Sequence, residues 1–127
     1  MIDHIGISVR DYDQSRAFYM KALAPLRIGI AMELKPEDTG GRRVAGMGAD
    51  GIPFFWFSEG AAQEGLHLAL SARDRKAVDA FHQAALEAGA KDNGAPGLRP
   101  HYHESYYAAF VIDPNGVNLE AVCHLPI

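Results

Sequence analysis

The first stretch of the chain alternates between apolar and polar residues, with the period of two that is typical of a half-buried strand. Over residues 2–9 the apolar side chains share one face, and the other face carries a histidine and small residues. Asp11 with Gln14 resembles a capping box, so we expect a helix to begin here and to end near Ala24, before Pro25. The chain is therefore predicted to start with a strand that runs directly into a helix.

This strand–helix unit occurs twice. Residues 67–86 align with residues 4–23 without a gap, and 8 of the 20 paired positions are identical. The identical pairs are His4/His67, Ser8/Ser71, Arg10/Arg73, Asp11/Asp74, Ala17/Ala80, Phe18/Phe81, Ala22/Ala85 and Leu23/Leu86. Most other positions keep their character, so we infer a duplicated module, each copy of which opens with a histidine.

The remainder of each copy is predicted to consist mainly of strands joined by short turns. The predicted strands span 27–34, 42–48, 52–58, 66–71, 106–112 and 117–125, and a second helix runs from Asp74 to Ala88. Asp50-Gly51 and Asn115-Gly116 are hairpin signals. Segment 36–41 is expected to be a mobile loop, and segment 90–105, rich in glycine and proline, is expected to be irregular. Each half is read as strand, helix, strand, strand, strand, an α+β arrangement.

Length and composition favour one globular domain, with module one at 1–58, a linker at 59–65 and module two at 66–127. The net charge of −4 and the lack of a basic run argue against nucleic acid as a partner. No run is long enough to span a membrane, and no signal peptide is recognised. A single cysteine, Cys123, allows no internal disulfide, so we expect a cytoplasmic protein.

The predicted last strand carries a candidate metal ligand. Glu120 shares a face with Asn118, Val122 and His124, and a carboxylate in the middle of a strand is costly to bury unless it is paired or binds a metal. A pseudo-twofold pairing of the modules would bring the two opening histidines together near it. Two imidazoles and a carboxylate are a common ligand set for a divalent first-row metal. The histidines could instead be structural, bonded to backbone.

At this point the sequence resembles the vicinal oxygen chelate superfamily, which includes glyoxalase I, fosfomycin-resistance thiol transferases, extradiol dioxygenases and bleomycin-resistance proteins. The resemblance rests on the duplicated module, its two histidines, the segment Tyr-Tyr-Ala-Ala-Phe-Val-Ile-Asp-Pro-Asn-Gly at 106–116, and Glu120. It implies two tandem βαβββ modules that form a curved, partly open, eight-stranded barrel-like sheet around a cleft. It also places His4, His67 and Glu120 on three metal-ligand positions of the family, for Zn, Mn, Fe or Ni.

One departure from the family pattern bears on the reaction. When the two predicted hairpins are superposed by their turns, Phe55 meets Glu120, at about the place where glyoxalase I enzymes use a fourth protein ligand. We therefore favour a three-ligand metalloenzyme over a lactoylglutathione lyase. Its metal would act as a Lewis acid on two neighbouring oxygens of a small substrate, in lyase or isomerase, dioxygenase or thiol-transferase chemistry. Candidates for the catalytic role beside Glu120 are His101, His103, Glu104 and Tyr107.

Two further expectations follow. The alternative function is a metal-free protein that binds a small molecule in the same cleft, as bleomycin-resistance proteins do, or a relative that keeps the ligands but has lost turnover. Because one module leaves open sheet edges and an apolar face, we predict a homodimer. The sequence leaves open whether His4 serves the site of its own chain or that of its partner.

Overall fold

Each half of the chain folds into a four-stranded sheet covered by one long helix. The computed structural model describes residues 1–127. The first half contains β1 (Ile5–Val9), α1 (Tyr12–Leu23), a 3-10 turn (Ala24–Leu26), β2 (Gly29–Leu34), α2 (Pro36–Thr39), β3 (Val44–Ala49) and β4 (Ile52–Glu59). The second half contains β5 (His67–Ser71), α3 (Arg75–Glu87), β6 (Lys91–Leu98), β7 (Tyr107–Ile112) and β8 (Asn118–Cys123).

The two sheets have the same topology. The strand order is β1-β4-β3-β2 in the first and β5-β8-β7-β6 in the second. In both sheets the opening strand pairs in parallel with the last strand of its module, and the other pairs are antiparallel. The predicted α+β fold of two tandem βαβββ modules is confirmed. The eight strands lie in two separate sheets of four, with no closed barrel.

The duplicated Asp residues begin the two long helices, as predicted. The Asp11 carboxylate accepts a hydrogen bond from the Gln14 amide (3.1 Å), and the Asp74 carboxylate accepts one from the Ala77 amide (2.7 Å). Each bond satisfies an amide at a helix start that has no partner within the helix. The helices α1 and α3 pack against each other, and each covers one face of its own sheet. None of the helices is long and apolar enough to cross a bilayer.

Two segments differ from the sequence-based expectation. Segment 90–105 is not irregular throughout, because β6 occupies its first half as the edge strand of the second sheet. Its pairing with β7 shifts register on both sides of Gly94, which leaves Pro96 outside the pairing ladder. An edge strand with bulges tolerates proline and glycine, and this hides the strand from pattern analysis. Segment 36–41, predicted as a loop, contains the short helix α2.

The turn between β7 and β8 is fastened to the helix of the other module. Asp113 accepts hydrogen bonds through Oδ1 from the amides of Asn115 (2.8 Å) and Val117 (2.9 Å), and the Tyr19 hydroxyl on α1 donates to its other oxygen. The Asn115 side chain donates to Ser15 Oγ (2.9 Å). All these polar side chains are buried, so the turn of module two is part of the core between the modules.

The packing leaves one face of each sheet open. Alternate residues of β4 and β8 point toward the helices and are fully buried, namely Phe55, Phe57, Leu119, Ala121 and Cys123. Because the modules meet mainly through α1, α3 and the 3-10 turn, the faces opposite the helices do not pack together within the chain. These two open faces therefore carry side chains that a ligand can reach.

Candidate functional site

The open face of the second sheet carries a buried carboxylate. Glu120 lies in the middle of β8, between Ala69 on β5 and Phe110 on β7. Its side chain is only 1% exposed, and the His67 nitrogen Nε2 lies 2.8 Å from its Oε1. The Tyr106 hydroxyl donates a hydrogen bond to the other carboxylate oxygen, Oε2. Both oxygens of this carboxylate are therefore held by side chains, one from β5 and one from the residue that immediately precedes β7.

The chemistry of these contacts defines what the site can do. A short contact between an imidazole nitrogen and a carboxylate oxygen needs a proton between them, or a cation that replaces the proton. Burial, and then the hydrogen bond to Glu120, raises the pKa of Tyr106 above its ordinary value, so the phenol stays protonated and remains a donor. The His67 side chain is 52% exposed, so the pair is open to solvent on the imidazole side.

The third predicted ligand is not at this site within one chain. His4 precedes β1, is 59% exposed, and its Nδ1 lies 2.6 Å from the carboxylate of its neighbour Asp3. No group of three or more His, Cys, Asp or Glu side chains in the chain is arranged to hold a metal ion. The structure thus brings together His67 and Glu120 and leaves His4 on the first module.

The predicted catalytic candidates fall into two places. Tyr107 lies on the helix side of β7, where its hydroxyl donates to Asp79 on α3 (2.6 Å). His101, His103 and Glu104 lie in the exposed loop that leads into β7. The structure therefore separates Tyr107 from Glu120 and keeps the loop residues on the side of the site that carries Tyr106.

The loop histidines take part in an aromatic cluster around Tyr106. The His103 ring accepts a hydrogen bond from the Ser105 amide at Nδ1 (3.1 Å), so its proton is on Nε2 and is donated to His124 Nδ1 (2.8 Å). The rings of His103 and His124 lie 5.4 and 5.3 Å from that of Tyr106. Both ring nitrogens of His103 are thus engaged, whereas the His101 ring makes only a tilted contact with Tyr102, with ring centroids 4.2 Å apart.

Tyr106 is the site residue that sequence analysis missed. β7 pairs with β8 so that Phe110 lies beside Glu120, and alternate residues of an extended chain share a face. This places position 106, and not position 107, on the side of Glu120. The alternation of side chains along 106–112 indicates that Tyr106 lies on the face of Glu120, but only once the register between β7 and β8 is known.

The equivalent position in the first sheet holds a tryptophan. Glu120 pairs with Ala69 in β5, and by the duplication the corresponding partners are Gly6 in β1 and Trp56 in β4. The predicted equivalence of Phe55 with Glu120 is therefore wrong by one residue. The first hairpin has an extra residue in β4, at a bulge between Met47 and Gly48, which superposition of the turns does not reveal.

An apolar cavity of about 510 Å³ lies where the opening strands of the two modules come close. Its walls come from the segment around His4 and Ile5, from Phe54, and from β5, where Leu68 and Leu70 contribute apolar surface. Its size falls in the range of sites for small molecules. The cavity is predominantly hydrophobic and lies beside His4, the first predicted ligand.

Comparison with solved structures agrees with this architecture. A glyoxalase/bleomycin resistance protein from Albidiferax ferrireducens T118 is similar over 98% of this chain and 99% of its own, at 24% identity and a TM-score of 0.79. A glyoxylase/bleomycin resistance protein/dioxygenase domain from Frankia sp. EAN1pec covers 98% of both chains, at 18% identity and a TM-score of 0.73. Glyoxalase I from Zea mays matches 96% of this chain at 22% identity and a TM-score of 0.72, and this chain spans 45% of that protein. At these identities the likeness shows the fold.

Sequence comparison gives the family. No curated protein matches the chain. A family model described as the Glyoxalase/Bleomycin resistance protein/Dioxygenase superfamily matches residues 1–121, which is nearly the whole chain. The resemblance inferred from the duplicated module and Glu120 is thereby confirmed, and the chain belongs to the Glyoxalase/Bleomycin resistance protein/Dioxygenase superfamily.

Proposed function

We propose that this chain is a metalloenzyme whose divalent cation is held by His67, Glu120 and, from a second copy of the chain, His4. The observation that carries the proposal is the buried Glu120 carboxylate, which is held only by an imidazole nitrogen and a phenol. A charged group is costly to bury without compensation. Its position beside an imidazole that opens to solvent favours a ligand pair for a metal such as Zn, Mn, Fe or Ni.

The residues present fit such a cation in part. An imidazole nitrogen and a carboxylate oxygen that already meet are two suitable donors, and Tyr106 acts as the outer partner that fixes the carboxylate. His4 offers a third imidazole, because its side chain is exposed and bonds only to the adjacent Asp3. Its location on the other module requires a second chain to bring it to the site.

A twofold homodimer supplies that arrangement. In it, the open face of the first sheet of one copy lies against the open face of the second sheet of the other copy, and two equal sites result. The proposal explains why each chain presents two uncovered sheet faces with complementary chemistry. The dimer brings His4, on the first module of one copy, to His67 and Glu120, on the second module of the other copy, without any change of fold.

When bound, the cation would supply Lewis-acid stabilisation to two neighbouring oxygens of a small substrate. The protein residues would orient the substrate and move a proton. Tyr106 keeps Glu120 in place, and His101 and His103, on the loop beside it, are the candidate proton carriers, together with Glu104. The reaction would belong to the lyase or isomerase, dioxygenase or thiol-transfer classes.

Metal analysis tests the ligands. Elemental mass spectrometry of the untagged protein is expected to find about one divalent ion per chain, and His67→Ala and Glu120→Gln should each lose it. His82→Ala is the matched control, because this imidazole on α3 is bonded to Asp92 (3.0 Å) away from the site. Variants that keep the parental metal content would refute the ligand assignment.

Mixing of variants tests whether the site is shared between copies. His4→Ala and Glu120→Gln homodimers should each lack metal, because every site lacks one ligand. In mixed dimers one site carries both substitutions and the other is intact, so random exchange should restore about a quarter of the parental metal content. If each chain built its own site, mixing would restore none.

The alternative function is a metal-free binding protein. It is favoured by the apolar cavity of about 510 Å³ and by the arrangement of only two ligands within one chain. In that case an aromatic probe such as 1-anilinonaphthalene-8-sulfonate should raise the melting temperature equally with and without EDTA. In the metalloenzyme, EDTA alone should lower the melting temperature of the parent and leave that of Glu120→Gln unchanged.

We also propose a reducing, cytoplasmic location. The only cysteine, Cys123, is buried and unpaired on the helix side of β8, where it fills space in the core. Labelling with a thiol reagent before and after unfolding tests this state. A thiol that reacts only after unfolding is expected, and an oxidised Cys123 in protein freshly isolated from its source would contradict it.

A further inference from the structure

The first sheet carries an aromatic surface at the position where the second sheet carries Glu120. Trp56 pairs with Gly6 as Glu120 pairs with Ala69, so the two residues occupy equivalent places in the duplicated modules. One module therefore offers a carboxylate at this point and the other offers an indole. The indole is half-buried in the single chain, and it is the only tryptophan of the protein.

A glycine fixes how the indole lies. Gly46 on β3 is the cross-strand partner of Trp56, and a Cβ atom built on it would lie 2.8–2.9 Å from three atoms of the six-membered indole ring. The ring therefore occupies the space directly above Gly46 and lies along the sheet surface. Any side chain at position 46 would push it away from the sheet. The indole is half-buried, so part of the ring is exposed on this open face of the sheet.

The surroundings of the indole are uncharged, and its nearest neighbours across the strands are glycines. By strand register the positions that share its face are Ser58 on its own strand, Gly6 and Ser8 on β1, Val44 and Gly46 on β3, and Met32 and Leu34 on β2. None of them carries a charge, and the two that lie directly beside the indole across the strands, Gly6 and Gly46, have no side chain. Such a surface favours the flat face of an aromatic ring over a charged or branched aliphatic group.

We infer that Trp56, held by Gly46, is a stacking platform for a planar aromatic ring of the substrate, and that it determines the specificity of the site. This inference rests on the proposed function for the other half of the cleft, where a cation binds the oxygens of the same ligand. The ligand class is an uncharged planar aromatic group that carries two adjacent oxygens. Trp56 contacts the ligand, and Gly46 is a positioning residue.

Two hydroxamates form a matched pair of probes. Benzohydroxamate and acetohydroxamate present the same two oxygens to a metal and differ in a phenyl ring against a methyl group. With metal-loaded parent protein, calorimetry should show that benzohydroxamate binds at least about tenfold more tightly. It should also change the Trp56 emission, and acetohydroxamate should not, because only the phenyl ring contacts the indole.

Variants separate the platform from the metal. Trp56→Leu should reduce the tenfold preference to within about twofold while acetohydroxamate affinity and metal content stay at parental values, and Trp56→Phe should keep part of the preference. Gly46→Ala should also reduce the preference, with a shifted Trp56 emission. Gly29→Ala is the control on the same sheet, because a Cβ there meets nothing within 4 Å.

The outcomes distinguish the two proposals. If Trp56→Leu and Gly46→Ala keep the parental preference for benzohydroxamate, the stacking platform is refuted, whatever the metal content. If the parent holds no metal, the metal proposal fails, and the platform is then judged in the metal-free protein. There, quenching of the Trp56 emission by benzohydroxamate but not by acetohydroxamate supports it, and the lack of any difference refutes it.

Discussion

The Tyr19 hydroxyl donates a hydrogen bond to the Asp113 carboxylate and so joins the helix of one module to the hairpin turn of the other. Both side chains are buried. Asp113 uses its second oxygen to accept from two amides of its own turn. The Asp-Pro-Asn-Gly turn at 113–116 therefore acts as an inter-module connection in addition to closing a hairpin.

Removal of this hydroxyl should weaken the connection. Tyr19→Phe leaves a buried carboxylate oxygen without its side-chain donor, which should lower the free energy of unfolding by about 1–3 kcal/mol. Urea denaturation followed by circular dichroism measures the change. Tyr102→Phe is the control, since Tyr102 is exposed and its hydroxyl makes no hydrogen bond within the chain. Equal midpoints for both variants would contradict the prediction.

The same residue should make the protein sensitive to alkali. Burial, and then the charge of Asp113, raises the pKa of Tyr19 above its ordinary value of about 10. A group with a raised pKa in the folded state contributes stability that is fully present below about pH 10 and is lost as the pH rises toward the folded-state pKa. Parental stability should therefore fall as the pH rises from about 10 to about 11.5, and Tyr19→Phe should show a shallower fall. Urea midpoints at several pH values in this range measure it, and parallel profiles would count against the assignment.

The pair Tyr106 and Tyr107 provides a test of the site on adjacent positions. Tyr106→Phe removes the donor to Glu120, which should weaken metal binding by about 10- to 100-fold, the usual effect of loss of a ligand's outer partner. Tyr107→Phe removes the bond to Asp79 on the opposite face and should leave metal affinity unchanged. Competition with a chromophoric chelator measures both affinities. A larger loss of metal affinity in Tyr107→Phe than in Tyr106→Phe would favour Tyr107 as the residue that acts at the site.

Gly48 should be the most sensitive glycine of the first sheet. A Cβ built on it would lie 1.7 Å from the Ile52 carbonyl oxygen, and this neighbour is backbone that cannot turn aside. Gly48→Ala should therefore lower stability by more than about 3 kcal/mol or prevent folding. Its cross-strand partner Gly29 has open space around it, so Gly29→Ala should remain within about 1 kcal/mol of the parent. Thermal unfolding compares them, and similar melting temperatures would refute the prediction.

Local patterns allowed much of the fold to be predicted. Asp11 and Asp74 mark helix starts because capping depends on residues three apart in sequence, and the alternation of apolar residues marks the buried strands. β6 was missed because it is an edge strand whose stability comes from pairing with β7, and its own residues are poor strand formers. Such a strand depends on a neighbour that only the folded chain supplies.

The site could be predicted only in part, for a related reason. Glu120 and His67, which the structure brings into contact, could be singled out because a mid-strand carboxylate and a duplicated histidine are evident in the sequence itself. The placement of Tyr106 and Trp56 depends on the register between strands. A bulge or a turn of different length shifts this register by one residue, and such a shift moves each side chain to the other face of the sheet. The separation of His4 from the other two predicted ligands depends on how whole modules pack.

The unlike residues at the two equivalent positions have a consequence for how a ligand is oriented. A duplicated module with the same residue on both faces would present a cleft with two interchangeable walls, and a ligand could bind in either direction. With Glu120 on one wall and Trp56 on the other, the proposed cleft has a polar wall and an aromatic wall. A ligand with oxygens on one side and a ring on the other then has a single favourable direction of binding, so one bond and one face of the molecule are presented for reaction.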